Sequence, residues 1–312
     1  MTRPSPEVPV PSPGREGQTF GGKSGVARYA SLVKLPHTLF ALPFALVGVT
    51  IASYATPVTV KTVAWVAVAF SAARFAAMGF NRIADRAYDA LNPRTSSREI
   101  PSGTIRVIEA SIAVAVAGAL FFVAASRLNS RCLLLAPFAL AWVLGYSYAK
   151  RFTRLAHLWL GLGLGIAPVG GYLAVTGRWS EPWWILPALA AAVACWVSGF
   201  DIFYALPDEE FDRANRLHSI PATLGRRRAI VVARLLHAGT VIALALVGFG
   251  IGAGAVYAVG VIVVAALLLY EHSLVRGGDL TKLDAAFFTM NGVISVTFFA
   301  FVLAERVWVG PR

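Results

Sequence analysis

The feature that most limits this chain is a succession of apolar runs, each close to the roughly 20 residues a helix needs to cross a bilayer. Nine can be marked, at about 38–55, 62–80, 108–126, 131–149, 157–175, 183–203, 229–249, 251–270 and 285–304. Hydrocarbon offers no partner to a loose backbone N–H or C=O, so such runs must close their hydrogen bonds within helices. The expectation is an all-α integral membrane protein, a bundle of nine transmembrane helices in the lipid bilayer. Only the glycine-rich stretch from Gly248 to Gly254 divides the seventh run from the eighth, so these two also read as one long span. A composition 57% hydrophobic and 14% charged agrees with a membrane class. Residues 1–25 are rich in Pro, Gly and Ser and read as a disordered tail. They hold no apolar core of the kind a signal peptide needs. Residues 26–306 then form one membrane domain, and 307–312 a C-terminal tail. Cys132 and Cys195 lie in apolar surroundings and suggest neither a disulfide framework nor a metal site.

A net charge of +12 raises nucleic acid as a partner, but its placement points elsewhere. Arg3, Arg15, Lys23, Arg28 and Lys34 sit before the first run, and Arg82, Arg86, Arg94, Arg98 and Arg106 follow the second. Lys150, Arg151 and Arg154 follow the fourth, Arg213, Arg216 and Arg226 to Arg228 the sixth, and Arg276 and Lys282 the eighth. The alternate loops carry only Lys61, Arg127, Arg131 and Arg178, with Arg306 and Arg312 in the C-terminal tail. Basic loops stay on the cytoplasmic side, so an odd number of spans with the N-terminus in the cytoplasm is expected, with no nucleic acid involved.

Two acidic stretches then open on that same face. Asn81, Asp85 and Asp89 recur at i, i+4 and i+8, and Asp201, Tyr204, Asp208 and Asp212 at i, i+3, i+7 and i+11, each set on one helical face. Stacked carboxylates repel unless positive charge lies between them. A hard cation such as Mg2+, which takes oxygen ligands and is commonly shared with substrate phosphates, answers that need. Pro207 interrupts the second set; it removes a helical hydrogen bond, so the single face is expected to break there, with Asp208 starting a new turn. Arg74 lies inside the second run, on the face of Asn81. An ionised group at that depth costs about 2.5–3.5 kcal/mol, which favours an inward, paired position. Gly17 to Ser24 match the phosphate-loop pattern literally, but no buried strand precedes them, so the match reads as coincidence. Gly161, Gly163, Gly165, Gly170 and Gly171 in the fifth run read as points of close helix packing.

Taken together, Asn81, Asp85 and Asp89 followed by Asn92-Pro-Arg94-Thr and Arg98 resemble the first signature of the UbiA superfamily of intramembrane prenyltransferases. Asp201, Tyr204, Asp208 and Asp212, followed by Leu217 to Pro221, resemble the second, and Tyr146 to Arg151 a basic loop between the fourth and fifth helices. The resemblance covers about residues 28–305. It is nearest to 4-hydroxybenzoate polyprenyltransferases, and Arg82 beside Asn81 resembles enzymes of menaquinone formation by the futalosine route. It implies transfer of a polyprenyl group from polyprenyl diphosphate to an aromatic acid, of 4-hydroxybenzoate or 1,4-dihydroxy-6-naphthoate type, in respiratory quinone biosynthesis. It implies two Mg2+ ions held by Asn81, Asp85, Asp89, Asp208 and Asp212. Lys150, Arg151, Arg94 and Arg98 would then meet diphosphate oxygens, and Tyr204 would face the allylic cation or the diphosphate. Asp201 would serve as a base or acceptor partner. Arg74 would suit the acceptor's carboxylate, a reading compatible with an inward ion pair with Asp201 or another motif carboxylate. Two rivals remain open from sequence. One is a relative with a different acceptor, such as haem, homogentisate, a chlorophyllide or a glycerol phosphate lipid. The other is a secondary transporter, which clustering of the acids at one membrane face disfavours.

Overall fold

A computed structural model describes residues 25–33, 35–275 and 283–309, and every regular element among them is helical. In chain order these are α1 (Gly25–Leu32), α2 (Leu35–Ala52), α3 (Val60–Ala84), α4 (Arg86–Leu91), α5 (Val107–Leu128), α6 (Ser130–Ala149) and α7 (Ala156–Thr176). There follow α8 (Ile185–Tyr204), a 3-10 turn (Leu206–Asp208), α9 (Glu209–Ala214), α10 (Ile220–Leu224), α11 (Arg226–Gly250), α12 (Ala255–Val275) and α13 (Leu283–Val309). Eight helices among the described residues are long and apolar enough to cross a membrane. The first expected span falls on α2, an 18-residue helix in which Ala41–Ala52 form an apolar stretch. The phosphate-loop match lies outside the described residues. The glycine stretch does divide two spans: α11 ends at Gly250, Gly252 takes a φ of +64°, and α12 starts at Ala255.

Packing places α8 at the centre. It lies against α7 on one side and α11 on the other, while α2 bridges α7 to α13 and α13 leads to α12. In its most apolar window 61% of α8 is buried, against 17% of α6, so α6 presents most of its surface outward. Leu134 and Phe138 on α6 and Ile112 and Val116 on α5 are exposed, which suits contact with lipid chains rather than water.

The glycines of α7 explain how the centre closes. A Cβ at Gly161 would stand 2.3 Å from the Ala194 carbonyl oxygen of α8, and one at Gly165 2.7 Å from that of Ala190. On the opposite flank a Cβ at Gly171 would lie 2.2 Å from the Ala45 oxygen of α2. Backbones this close require the absence of a side chain. Gly163 and Gly170 do not follow the packing expectation: a Cβ at Gly163 meets only ordinary contacts and one at Gly170 meets nothing within 4 Å. Both border a cavity instead.

The difference is testable. Gly161→Val forces apart α7 and α8 and should cost about 1–3 kcal/mol of overpacking, read as a lowered thermal midpoint in detergent. Gly170→Ala should leave the midpoint unchanged.

Candidate active site

Both acidic motifs begin where a long helix ends. α3 closes at Ala84 and Asp85 takes φ −92°, ψ 5°, yet the helical bonds run on, from Asp85 N–H to the Asn81 oxygen at 2.9 Å and from Asp89 N–H to the Asp85 oxygen at 2.8 Å. Asn81, Asp85 and Asp89 therefore keep one face across the join. The second motif does not. α8 ends at Tyr204, Pro207 lies in the 3-10 turn, and Asp208 N–H donates to Ala205 rather than to Tyr204. Proline has no N–H to carry the helical ladder through. Asp208 and Asp212 thus belong to a new segment, as expected of Pro207, and the single face from Asp201 to Asp212 is lost.

Each acid has an assigned partner. Asn81 Nδ2 donates to Asp85 Oδ2 at 2.8 Å, while Arg151 Nη2 reaches Asp85 Oδ1 at 3.3 Å and the Ala84 oxygen at 2.7 Å. The Arg151 guanidinium lies over the Tyr148 ring at 4.8 Å and the Tyr88 ring at 5.5 Å. Arg98 Nη1 donates to Asp89 Oδ1 at 2.7 Å. Arg94 grips Asp208 with two nitrogens, Nε on Oδ1 at 3.0 Å and Nη2 on Oδ2, and Asn92 Nδ2 adds a third donor at 3.1 Å. Arg94 Nη1 also donates to the Tyr204 hydroxyl at 3.4 Å, with its charge 5.2 Å from the ring centre. Lys150 Nζ stands 3.7 Å from Asp212 Oδ2.

These neighbours shift the ionisable groups in different directions. Burial and then the charge of Asp89 push Asp85 above the usual carboxylate range, with Arg151 and Lys150 opposing. Burial alone would raise Asp208 as well, but Arg94, Lys150 and Asn92 outweigh it and hold the carboxyl below its ordinary value. Burial works against the charge of Lys150, and Asp212, Asp201, Asp208 and Asp85 overcome it and raise the ammonium.

The donor set suits a hard divalent cation. Asp89 Oδ2 and Asp212 Oδ2 are buried oxygens with no hydrogen-bond partner, and such atoms call for positive charge. Among the described residues no three acid, His or Cys side chains already converge tightly enough to hold an ion. The arginines and the lysine occupy the carboxylates one by one.

Two cavities meet at this place. A polar one of about 160 Å³ is lined by five carboxylates, Asp85, Asp89, Asp201, Asp208 and Asp212, and by four cations, Arg94, Arg98, Lys150 and Arg151. An apolar one of about 410 Å³ runs between the helices beneath it, lined by Phe70, Val143, Leu164, Trp196 and Phe200 among others. Asn81, Arg98, Tyr146, Asp201 and Tyr204 border both. Arg74 lies on the apolar side with Nε buried and unpartnered, and among the described residues it forms no ion pair with a motif carboxylate. Asp201, one of the carboxylates expected beside Arg74, is hydrogen-bonded by another residue.

That residue is His157, whose Nδ1 lies 2.6 Å from Asp201 Oδ2. Sequence reasoning missed it, although an ionisable side chain opening an apolar run was a usable signal. It also missed the grip of Asn92 and Arg94 on Asp208. Arg82 Nε donates to the Leu32 oxygen at 3.4 Å.

The UbiA prenyltransferase family model matches residues 41–293. The chain is 30% identical over 226 residues to 4-hydroxybenzoate octaprenyltransferase of Citrobacter koseri, covering 72% of this chain and 76% of that one. The corresponding protein of Shewanella woodyi is 29% identical over 212 residues, covering 68% and 72%. Among solved structures, an apo UbiA homologue from Aeropyrum pernix K1 superposes with a TM-score of 0.79 at 34% identity, over 86% of this chain and 98% of that one. A UbiA homologue from Archaeoglobus fulgidus bound to GPP and Mg2+ has a TM-score of 0.66 at 22% identity, over 89% and 99%, and shares the fold. The matched span and these likenesses agree, and the chain belongs to the UbiA prenyltransferase family.

Proposed function

We propose that this enzyme transfers a polyprenyl group from polyprenyl diphosphate to an aromatic acid, with Mg2+, at the cytoplasmic face of a bacterial inner membrane. The observation that carries the reading is the junction of a charged pocket with an apolar cavity. An amphiphile with a diphosphate head and an isoprenoid tail fits both at once. Five carboxylates against four cations leave the pocket short of positive charge before a diphosphate enters, so a bound diphosphate needs cations from outside. Asn81, Asp85, Asp89, Asp208 and Asp212 would hold Mg2+, which when bound neutralises charge on the departing diphosphate. The relatives named 4-hydroxybenzoate octaprenyltransferase support the aromatic acceptor, and the homologue holding GPP and Mg2+ supports the donor and the ion.

The side chains divide the remaining work. Arg94 and Arg98 release Asp208 and Asp89 and turn their planar donors to diphosphate oxygens, where guanidinium binds in a bidentate manner. Lys150 and Arg151 complete that cradle. As the allylic C–O bond breaks, its electron pair leaves with the diphosphate, and the Tyr204 ring faces the cation that remains. The acceptor ring attacks, the C–H bond at the new junction breaks, its electrons restore aromaticity, and the proton passes to Asp201. Arg74, whose Nε is unpartnered beside the apolar cavity, binds the acceptor carboxylate. The basic loops that flank the charged pocket support its cytoplasmic orientation.

Membranes carrying the protein, given labelled polyprenyl diphosphate, Mg2+ and 4-hydroxybenzoate or 1,4-dihydroxy-6-naphthoate, should form a prenylated product that EDTA abolishes. Asp85→Asn and Asp212→Asn should each lower the rate at least ~100-fold. Full activity in both variants would remove these residues from the metal site. Product with neither aromatic acid would redirect the search to other acceptors. Arg74→Ala should raise the acceptor KM roughly 10- to 100-fold, the worth of a buried bond to a charged group, and leave the donor KM unchanged.

A further inference from the structure

His157 lies in the first turn of α7, is 0% exposed, and touches the site through Asp201. Its ring makes two directed contacts. Nδ1 lies 2.6 Å from Asp201 Oδ2, and Nε2 accepts the backbone N–H of Ile220 at 3.3 Å. A ring nitrogen that accepts an N–H carries no proton, so the imidazole proton sits on Nδ1 and is donated to Asp201.

The two contacts join parts of the site that are distant in sequence. Ile220 is the first residue of α10, in a segment whose Leu217 N–H donates to the Asp212 oxygen at 2.8 Å and whose His218 N–H donates to the Lys150 oxygen at 2.7 Å. Ser198 Oγ, about one turn before Asp201, shares its one hydrogen between the Ala194 oxygen of α8 at 2.7 Å and the His157 carbonyl of α7 at 3.0 Å. Asp201 Oδ1 makes no hydrogen bond among the described residues, and Asp201 borders both cavities. Arg74 lines the same apolar cavity with an unpartnered Nε. A buried carboxylate without another donor would be drawn to that guanidinium, since an unpaired buried charge is costly.

We propose that His157 is the positioning residue of this site. It holds Asp201 in one rotamer with Oδ1 presented to the acceptor, keeps it off Arg74, and registers it against the segment that follows Asp212. The role rests on the reading of Asp201 and Arg74 as acceptor-side residues.

The test compares His157→Leu, His157→Asn and His157→Gln in the full-length protein, each checked for its thermal midpoint. Asn places an amide N–H where Nδ1 stood, whereas Gln reaches the position of Nε2. Loss of an orienting partner of this kind costs roughly 10- to 100-fold in activity. His157→Leu should lower kcat and raise the acceptor KM within that range, with the donor KM unchanged. His157→Asn should recover most of the loss and His157→Gln little of it. Equal behaviour of Asn and Gln, or a Leu variant with wild-type constants, would overturn the proposal. The Asn and Gln pair decides the matter alone where the Leu variant does not fold. A second readout does not depend on the reaction: the 15N-histidine spectrum of the wild-type protein, assigned by the signal missing in His157→Asn. Protonation at Nδ1 is expected, and protonation at Nε2 would overturn the proposal. A wild-type protein that prenylates no aromatic acid but shows the Nδ1 proton defeats the functional reading and leaves the His157 contact standing.

Discussion

The contact on which the arrangement depends is the double hydrogen bond between Arg94 and Asp208. Arg94 comes from the loop after the first acidic motif and Asp208 from the turn inside the second, so this pair draws the two motifs together. Asn92 braces it from both ends, donating to Asp208 and accepting the Arg94 N–H at 2.9 Å. Breaking a buried pair by removing one partner costs about 3–5 kcal/mol, because the remaining charge has no water to return to. The site is therefore closed by the same charges that a diphosphate would compete for. That gives a physical reason for cations and acids to be interleaved here rather than segregated.

The second constraint is the boundary between polar and apolar space. The helices around α8 close tightly where glycines of α7 meet backbone oxygens, and they stay apart where Gly163 and Gly170 line the cavity. One helix thus uses glycine for two purposes, contact on one side and room on the other. Asp201 and Tyr204 end α8 at that boundary, where the apolar cavity meets the carboxylates. Chemistry that separates charge next to a hydrocarbon tail requires such a boundary, since each half of the substrate is stable on one side only.

Much of this was legible in the residues. The long apolar runs announced the helices because hydrocarbon leaves the backbone no other choice, and Asn81, Asp85 and Asp89 kept the face their spacing implied. Pro207 announced the break after Tyr204, because a missing N–H is a local fact. What stayed hidden was pairing over distance. Nothing near Asp201 in sequence names His157, and nothing near Asp208 names Arg94, since those partners meet only when α7, α8 and the loop after α4 pack. Arg74 was expected to be inward and is, bordering the apolar cavity with its Nε unpartnered, while Asp201 bonds to His157.

The measurement closest to the central claim is the binding of geranyl diphosphate to the purified protein by calorimetry, with Mg2+ and with EDTA. A pocket with five carboxylates and four cations should bind the diphosphate only when divalent cations are supplied, and Asp212→Asn should weaken that binding. Equal affinity in EDTA and in Mg2+ would contradict the account, for the arginines and Lys150 would then suffice to hold the diphosphate without a metal.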